Sequence, residues 1–231
     1  MGLKKINRWI KNKIHGYDLP KLVKSKAWTI KPEDRLCILA PHPDDETIAC
    51  GGLLAKYGPQ CDVILLTDGQ KGGLAGWDEA HTSEVRKAEF EQAMAFLNVR
   101  SYSFMNGTDG ALIDAYQKFA QIDFSAYDYV LMPHRQDTHA DHMVVSAFWR
   151  RLQKEKRYKA KAVFYELWGA LSVPTHYVDI TDVIERKKAA IAIYQSQLTN
   201  IDYTSRIVAL NHYRGIHHHL LYEEDFVVET L

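Results

Sequence analysis

From residue 35 onward, short and nearly uncharged apolar runs alternate with segments whose apolar residues recur at helical spacing, and this alternation limits the fold more than any other feature of the chain. The runs are RLCILAP (35–41), CDVILLT (61–67), SYSFM (101–105), YDYVLMP (127–133) and KAVFYEL (161–167). Between them lie helix-period stretches at 45–58, 81–99, 112–122 and 139–156. Continuously apolar strands separated by helices are what a mostly parallel sheet covered on both faces requires. THYVDI (175–180) predicts a further strand, and TDVIERKKAAIAIYQSQL one long helix after it. The expected fold class is therefore α/β, a doubly wound, Rossmann-like three-layer sandwich, with one domain over 32–231 and an extension over 1–31. In such sheets ligands sit outside the carboxyl ends of the strands, so the residues just past each strand carry the functional interest.

Lys plus Arg and Asp plus Glu both number 29, so no bulk basic field exists to hold nucleic acid. That balance hides an asymmetry. Residues 1–31 carry nine basic side chains against the single acid Asp18, and the acidic excess lies in the remainder. Within this head, Leu3, Ile6, Trp9, Ile10 and Ile14 are spaced three or four apart among lysines and Arg8. Such a basic amphipathic segment suits either an anionic membrane surface or packing on the acidic body. The three cysteines lack C-x-x-C spacing, and Cys37 and Cys61 fall inside apolar runs, as buried thiols do. Apolar runs fall short of the ~18 residues of a membrane span, and no apolar core of a signal peptide follows the first charges. The expected compartment is the cytoplasm, including the inner face of the membrane if the head binds lipid. Nothing in the sequence sets an oligomeric state.

Two of the strand ends carry chemistry. The first apolar run ends in Pro41-His42-Pro43-Asp44-Asp45-Glu46, and the fourth ends near Pro133-His134, a few residues before His139-Ala140-Asp141-His142. Both segments lie at the same edge of one sheet and both open a helix. Imidazole and carboxylate are what Zn2+ takes in a catalytic site, with three protein ligands and one open position, and an unligated carboxylate beside them can act as base. An Asp between a strand and a helix is also a common N-cap, which is the competing explanation for either motif alone.

The pair P-H-P-D-D-E and H-x-D-H resembles the PIG-L (LmbE-like) family of zinc-dependent N-acetylglucosaminyl deacetylases. The resemblance runs from about residue 35 to 226 through Leu66-Thr67-Asp68-Gly69, Arg86-x-x-Glu89, Asp109-Gly110-x-Leu112, Tyr165-Glu166-Leu167-Trp168, Asp179-Ile180-Thr181-Asp182, Ser196-Gln197, Arg214-Gly215 and Glu224-x-Phe226. It implies an LmbE-like fold and one Zn2+ per chain, for which Fe2+ or Co2+ could substitute, held by His42, Asp45 and His142. Asp44 would be the general base and His139 the partner of the oxyanion. Asp141 would orient a ligand histidine, unless it only starts a helix. Arg86 resembles a sugar-contacting arginine, against the alternative of a surface residue paired with Glu89 or Glu91. Trp77, in the Gly-rich loop KGGLAGW, could stack on a sugar or be a surface Trp. Glu46 is expected to brace the motif, His134 to be structural, and His217, His218 and His219 to form a loop and not to ligate metal.

The implied reaction removes acetyl from an N-acetylglucosamine-type conjugate, releasing acetate and a free amino sugar. The basic head favours a lipid-linked saccharide or lipopolysaccharide. A soluble conjugate, as in thiol-cofactor synthesis, is the alternative within the class. Outside it stand a metal-dependent phosphoesterase, which would need more ligands than are evident, and a non-catalytic sugar-binding module, which has no need of Asp44.

Overall fold

The structure is a computed structural model that describes residues 24–199 and 201–229. The amphipathic stretch of the basic head therefore lies outside the described residues. Eight strands form one sheet: β1 (Lys26–Ala27), β2 (Leu36–Ala40), β3 (Cys61–Thr67), β4 (Ser101–Gly107), β5 (Tyr129–Pro133), β6 (Lys161–Tyr165), β7 (His176–Asp179) and β8 (Glu223–Val228). Their spatial order is β1-β7-β8-β6-β5-β2-β3-β4. Every pairing is parallel except those of β8, which runs antiparallel to both β6 and β7. The expected α/β sandwich is thus present, with one antiparallel strand inserted.

The buried runs fill two layers because successive side chains of a strand point to opposite faces. Leu36, Ile38, Val63, Leu65, Leu131 and Val163 share one core with α1 (Asp45–Tyr57), α2 (Glu79–Phe96) and α4 (Ile184–Ile191). Cys37, Leu39, Ile64, Leu66, Val130 and Met132 share the other with Val145, Phe148, Trp149 and Leu152 of α3 (Ala140–Lys156). Cys37, Cys50 and Cys61 are all buried free thiols. On α1, Gly52 lets the helix approach its neighbours: a Cβ there would lie 2.7 Å from Ile180 Cβ. Beside it Glu224 accepts from the backbone N–H of Gly52 and Leu53 and pairs with the fully buried Lys187, joining β8 to α1 and α4.

The single helix expected over 181–198 is not formed. The chain makes a short helical turn at Thr181–Val183, then α4, then a separate turn at Gln195–Leu198. Two side-chain demands break it: Tyr194, fully buried, donates its hydroxyl to Glu46, and the N–H and hydroxyl of Ser196 both donate to Glu89. Helix α5 (Tyr203–Arg214) and strand β1 are additions to the elements read from the sequence.

Candidate metal centre

Because β2 and β5 are parallel neighbours, their carboxyl ends open on one edge, and the loops that follow bring both motifs together. After β2 the turn closes through the Asp45 N–H donating to the His42 carbonyl, and α1 begins as Thr47 and Ile48 donate to the Asp44 carbonyl. Asp44 thus holds the N-cap position, but its carboxylate makes no cap bond. It takes the left-handed backbone at φ 122°, a conformation that costs a non-glycine residue about 1–3 kcal/mol and clusters at functional sites. The N-cap explanation of this acid therefore fails. At the second loop the N-cap of α3 is His139, also without a side-chain bond.

Three donor atoms meet between the loops. His42 Nδ1 lies 3.1 Å from Asp45 Oδ2, His142 Nε2 lies 3.2 Å from the same oxygen, and the two nitrogens are 3.4 Å apart. A tetrahedral ion with ligands at about 2.0–2.1 Å separates its donors by roughly 3.3–3.4 Å, so this triangle fits a zinc-sized cation. Each imidazole is backed by carboxylate on its far side, the arrangement that fixes ring orientation around a metal. His42 Nε2 lies 3.2 Å from Asp109 and 3.3 Å from Asp141, while His142 Nδ1 lies 3.2 Å from Asp137. Those acids are anchored in turn. Asp141 accepts from the N–H of Gly110 and Leu112, Asp109 from Lys71, and Asp137 from His139 and Trp168. His139, partly exposed, sets its ring edge-on to His42 at 4.8 Å, and its buried Nδ1 has no hydrogen-bond partner among the described residues. Beside this triangle, His139 with His42 and His142, and Asp109 with His42 and Asp141, are also close enough to share an ion.

The electrostatics divide the adjacent acids. Burial raises the Asp45 carboxyl, but His142 and His42 beside it overcome this and hold it well below the usual range. For Asp44 burial prevails: the acid is pushed up to about 8, against the Arg86 guanidinium and with the help of Asp45 and Glu46. Burial, together with His42 and His142, holds His139 below the usual imidazole range.

Arg86 is 4% exposed, which removes the surface ion pair as its explanation. It donates to the carbonyls of Gly69 and Pro43 and to Asp44 Oδ2 at 3.3 Å, so it pins the turn that carries Asp44 to the loop after β3. That loop is tied down again where Gln197 donates to the Gly72 carbonyl. Trp77, half-buried, stands edge-on to His81 with centroids 4.6 Å apart at the start of α2. Glu46 braces the motif through Thr47 and Tyr194. His134 accepts from Gln136 N–H at Nδ1 and so donates from Nε2 to the Gly169 carbonyl, a structural role. His218 pairs with Glu223 and stacks on Tyr177, far along the chain from the metal loops. Asp137 received no role from the sequence, although an acid two residues before His139 in the same loop was the available signal. Asp109 stood in the sequence pattern without one.

Known proteins share this chain's family and its fold. Residues 37–152, half of the chain, match the PIG-L family, described as GlcNAc-PI de-N-acetylase. A 1D-myo-inositol 2-acetamido-2-deoxy-alpha-D-glucopyranoside deacetylase from Thermobifida fusca is 33% identical over 84 residues, covering 32% of this chain and 29% of that protein. The chain thus spans less than a third of the length of the curated relatives it matches first. Among solved structures, N,N'-diacetylchitobiose deacetylase from Pyrococcus horikoshii superposes with a TM-score of 0.76 at 19% identity, over 99% of this chain and 93% of that one. A 4-carboxy-2-hydroxymuconate hydratase from Pseudomonas putida gives 0.66 at 18% identity, over 90% and 97%, so the architecture alone does not fix a reaction. Family match and sheet architecture agree, and the chain belongs to the PIG-L family.

Proposed function

We propose that this chain is a metal-dependent amide hydrolase that removes the N-acetyl group from an N-acetylglucosamine-type sugar conjugate. One observation carries the reading: His42, Asp45 and His142 form a cation-sized triangle, and Asp44 stands beside it with a carboxylate that caps no helix. Zn2+ bound there, or Fe2+ or Co2+ in its place, would polarise the acetamide carbonyl and lower the pKa of water to roughly 7. Asp44 accepts a proton from the attacking water and returns it to the departing amine, and Arg86 fixes where its carboxylate sits. Its raised affinity for a proton suits that return. His139 offers a nitrogen at the open side of the triangle to the oxyanion. Asp137, Asp109 and Asp141 hold the ligand rings.

The test is acetate release from a panel of N-acetylglucosamine conjugates, free, lipid-linked and lipopolysaccharide-bound. The wild type and Asp44→Ala are compared, each after chelation and after zinc add-back. Release that requires both metal and Asp44 is expected. Release that survives Asp44→Ala would refute the mechanism.

The family match, whose description names a GlcNAc-PI de-N-acetylase, and the basic, apolar-spaced head support a reading in which the conjugate is displayed at a membrane and the chain works at its inner face. The curated relatives, named for an N-acetylglucosamine glycoside of inositol, favour a small soluble one. Loss of liposome binding on deleting residues 1–20 would support the first; no binding by the full chain would leave the second. No helix among the described residues is long and apolar enough to cross a membrane.

A further inference from the structure

Past β6 the chain continues through Leu167 and Trp168 at the same sheet edge that carries the metal loops. Trp168 is tied to the second of those loops by its main chain. Its N–H donates to Asp137 Oδ2 at 3.1 Å, and its carbonyl accepts from the Thr138 hydroxyl at 3.4 Å. The other Asp137 oxygen faces His142, so one carboxylate separates Trp168 from a ring of the donor triangle. The Tyr203 ring stands 5.2 Å from that of Trp168, tilted by 46°. Burial, and after it the charge of Asp44, raises the Tyr203 phenol while Arg86 opposes them, so Tyr203 lies within the field of the turn that carries Asp44. On α5, Tyr203, Arg206, Ile207 and Leu210 recur at i, i+3, i+4 and i+7 and therefore share one helix face. Leu167, Trp168, Tyr203, Ile207 and Leu210 wall a cavity of about 430 Å³, the volume of a small-molecule pocket. Ile201 and Arg206, both exposed, complete its lining. Arg206 enters no ion pair among the described residues, and the acid one turn before it, Asp202, caps α5 by accepting from the Ser205 N–H.

We propose that this cavity is the aglycone site of the deacetylase, taking an apolar chain that leaves the sugar at its glycosidic oxygen and carries an anionic group toward Arg206. The inference rests on the deacetylase reading and adds to it the class of conjugate. The walls are aliphatic and aromatic, which suits a hydrocarbon chain and not a second sugar ring, whose hydroxyls would lose their hydrogen bonds there. The Asp137 carboxylate stands between His142 and Trp168, so an acyl carbon placed on the ion is screened from the cavity. The occupant is therefore borne by the sugar and not by the acyl group. Arg206, at the end of the lining exposed to water, supplies a guanidinium that pairs with carboxylate and phosphate alike.

The probes are three β-glycosides of N-acetylglucosamine: the methyl glycoside, the methoxycarbonyloctyl glycoside and the carboxyoctyl glycoside, its free acid. Binding is measured calorimetrically on the full-length, metal-loaded chain below micelle formation, and acetate release on the same preparations. The ester should bind at least ~10-fold tighter than the methyl glycoside, since each methylene buried is worth about fourfold. The acid should exceed the ester by roughly two- to fivefold at low salt, an advantage lost at high salt and in Arg206→Gln. Ile201→Asn should shrink the preference of ester over methyl glycoside, and melting curves confirm that both variants are folded. The proposal is overturned if ester and methyl glycoside bind alike, if acid and ester bind alike at low salt, or if the folded variants keep the wild-type preferences. It is equally overturned if a methyl glycoside bearing N-octanoyl in place of N-acetyl gains the affinity of the chain. Failure of the deacetylase reading looks different: no glycoside releases acetate, while the order of affinities stands.

Discussion

Asp137 provides the most searching test of the metal centre, because its carboxylate touches three groups and the sequence pattern assigned it nothing. Oδ1 lies 3.2 Å from His142 Nδ1 and accepts from the His139 N–H at 2.9 Å, while Oδ2 accepts from the Trp168 N–H at 3.1 Å. The residue is 2% exposed, so water cannot replace these contacts. Asp137→Asn keeps one acceptor oxygen and substitutes an amide for the other. At least one backbone N–H then loses its acceptor, which costs about 1–3 kcal/mol of stability. The larger consequence falls on His142, whose Nδ1 proton faces a neutral group or a competing donor and whose Nε2 becomes a weaker ligand. Removing such a partner typically costs 10–100-fold in metal affinity, about 1.4–2.7 kcal/mol. The assay is competition with a chromophoric chelator for Co2+ or Zn2+, alongside urea unfolding to separate affinity from stability. A folded Asp137→Asn protein that holds metal as tightly as the wild type would refute the reasoning that places the ion on His142.

Asp44→Asn should lower kcat for acetate release by ~10²–10⁴-fold and leave metal content intact, since Asp44 belongs to no edge of the donor triangle; metal analysis beside kinetics checks both halves. Arg86→Met leaves the Gly69 and Pro43 carbonyls without their donor and Asp44 without its buried partner, so a loss of about 3–5 kcal/mol is expected in denaturant titration. Gly52→Ala drives a methyl against Ile180 and should cost about 1–3 kcal/mol, read as a lowered melting temperature with metal affinity unchanged. Glu223 and Asp225, raised by burial to about 7, hold protons in the fold that the unfolded chain, with carboxyl values near 4, has already released. Their contribution to stability is therefore present at low pH and falls as pH rises from about 4 through 7. Urea titrations at pH 5, 6 and 7 should show a shallower decline for Asp225→Asn than for the wild type.

The central strands β2, β3, β5 and β6 were legible because they are buried on both faces. CDVILLT has no polar side to confuse the period, and its predicted limits are those observed. The helix over 181–198 was misread for the opposite reason: its interruption depends on Glu46 and Glu89, which lie more than a hundred residues earlier and leave no mark on local spacing. The metal loops could be located from the sequence since each follows an apolar strand. What spacing could not supply was orientation. Nothing in P-H-P-D-D-E says that Asp44 adopts φ 122° and turns toward Arg86, or that Arg86 faces inward. Asp109 was missed as a ring support because its partner His42 is brought to it only by the parallel order β2-β3-β4, and Asp137 because its reach to His142, five residues on, depends on the turn of the loop after β5 and not on spacing.

The placement of β8 orders the events by which the protein can be made. Every residue of the metal pocket has been synthesised by His142, and β2 through β6 can pair among themselves once Tyr165 is free. Beyond that point β6 presents a bare edge, and β7 has no neighbour on that side, until the strand ending at Val228 slides between them. Such late, long-range closure slows folding and leaves an adhesive strand edge open in the interval. A nascent or truncated chain lacking β8 would thus carry every candidate metal donor on an unfinished sheet, prone to pair with another copy of itself. Chaperone dependence and aggregation of this protein should accordingly be decided by β8 and not by the half that carries the candidate metal centre.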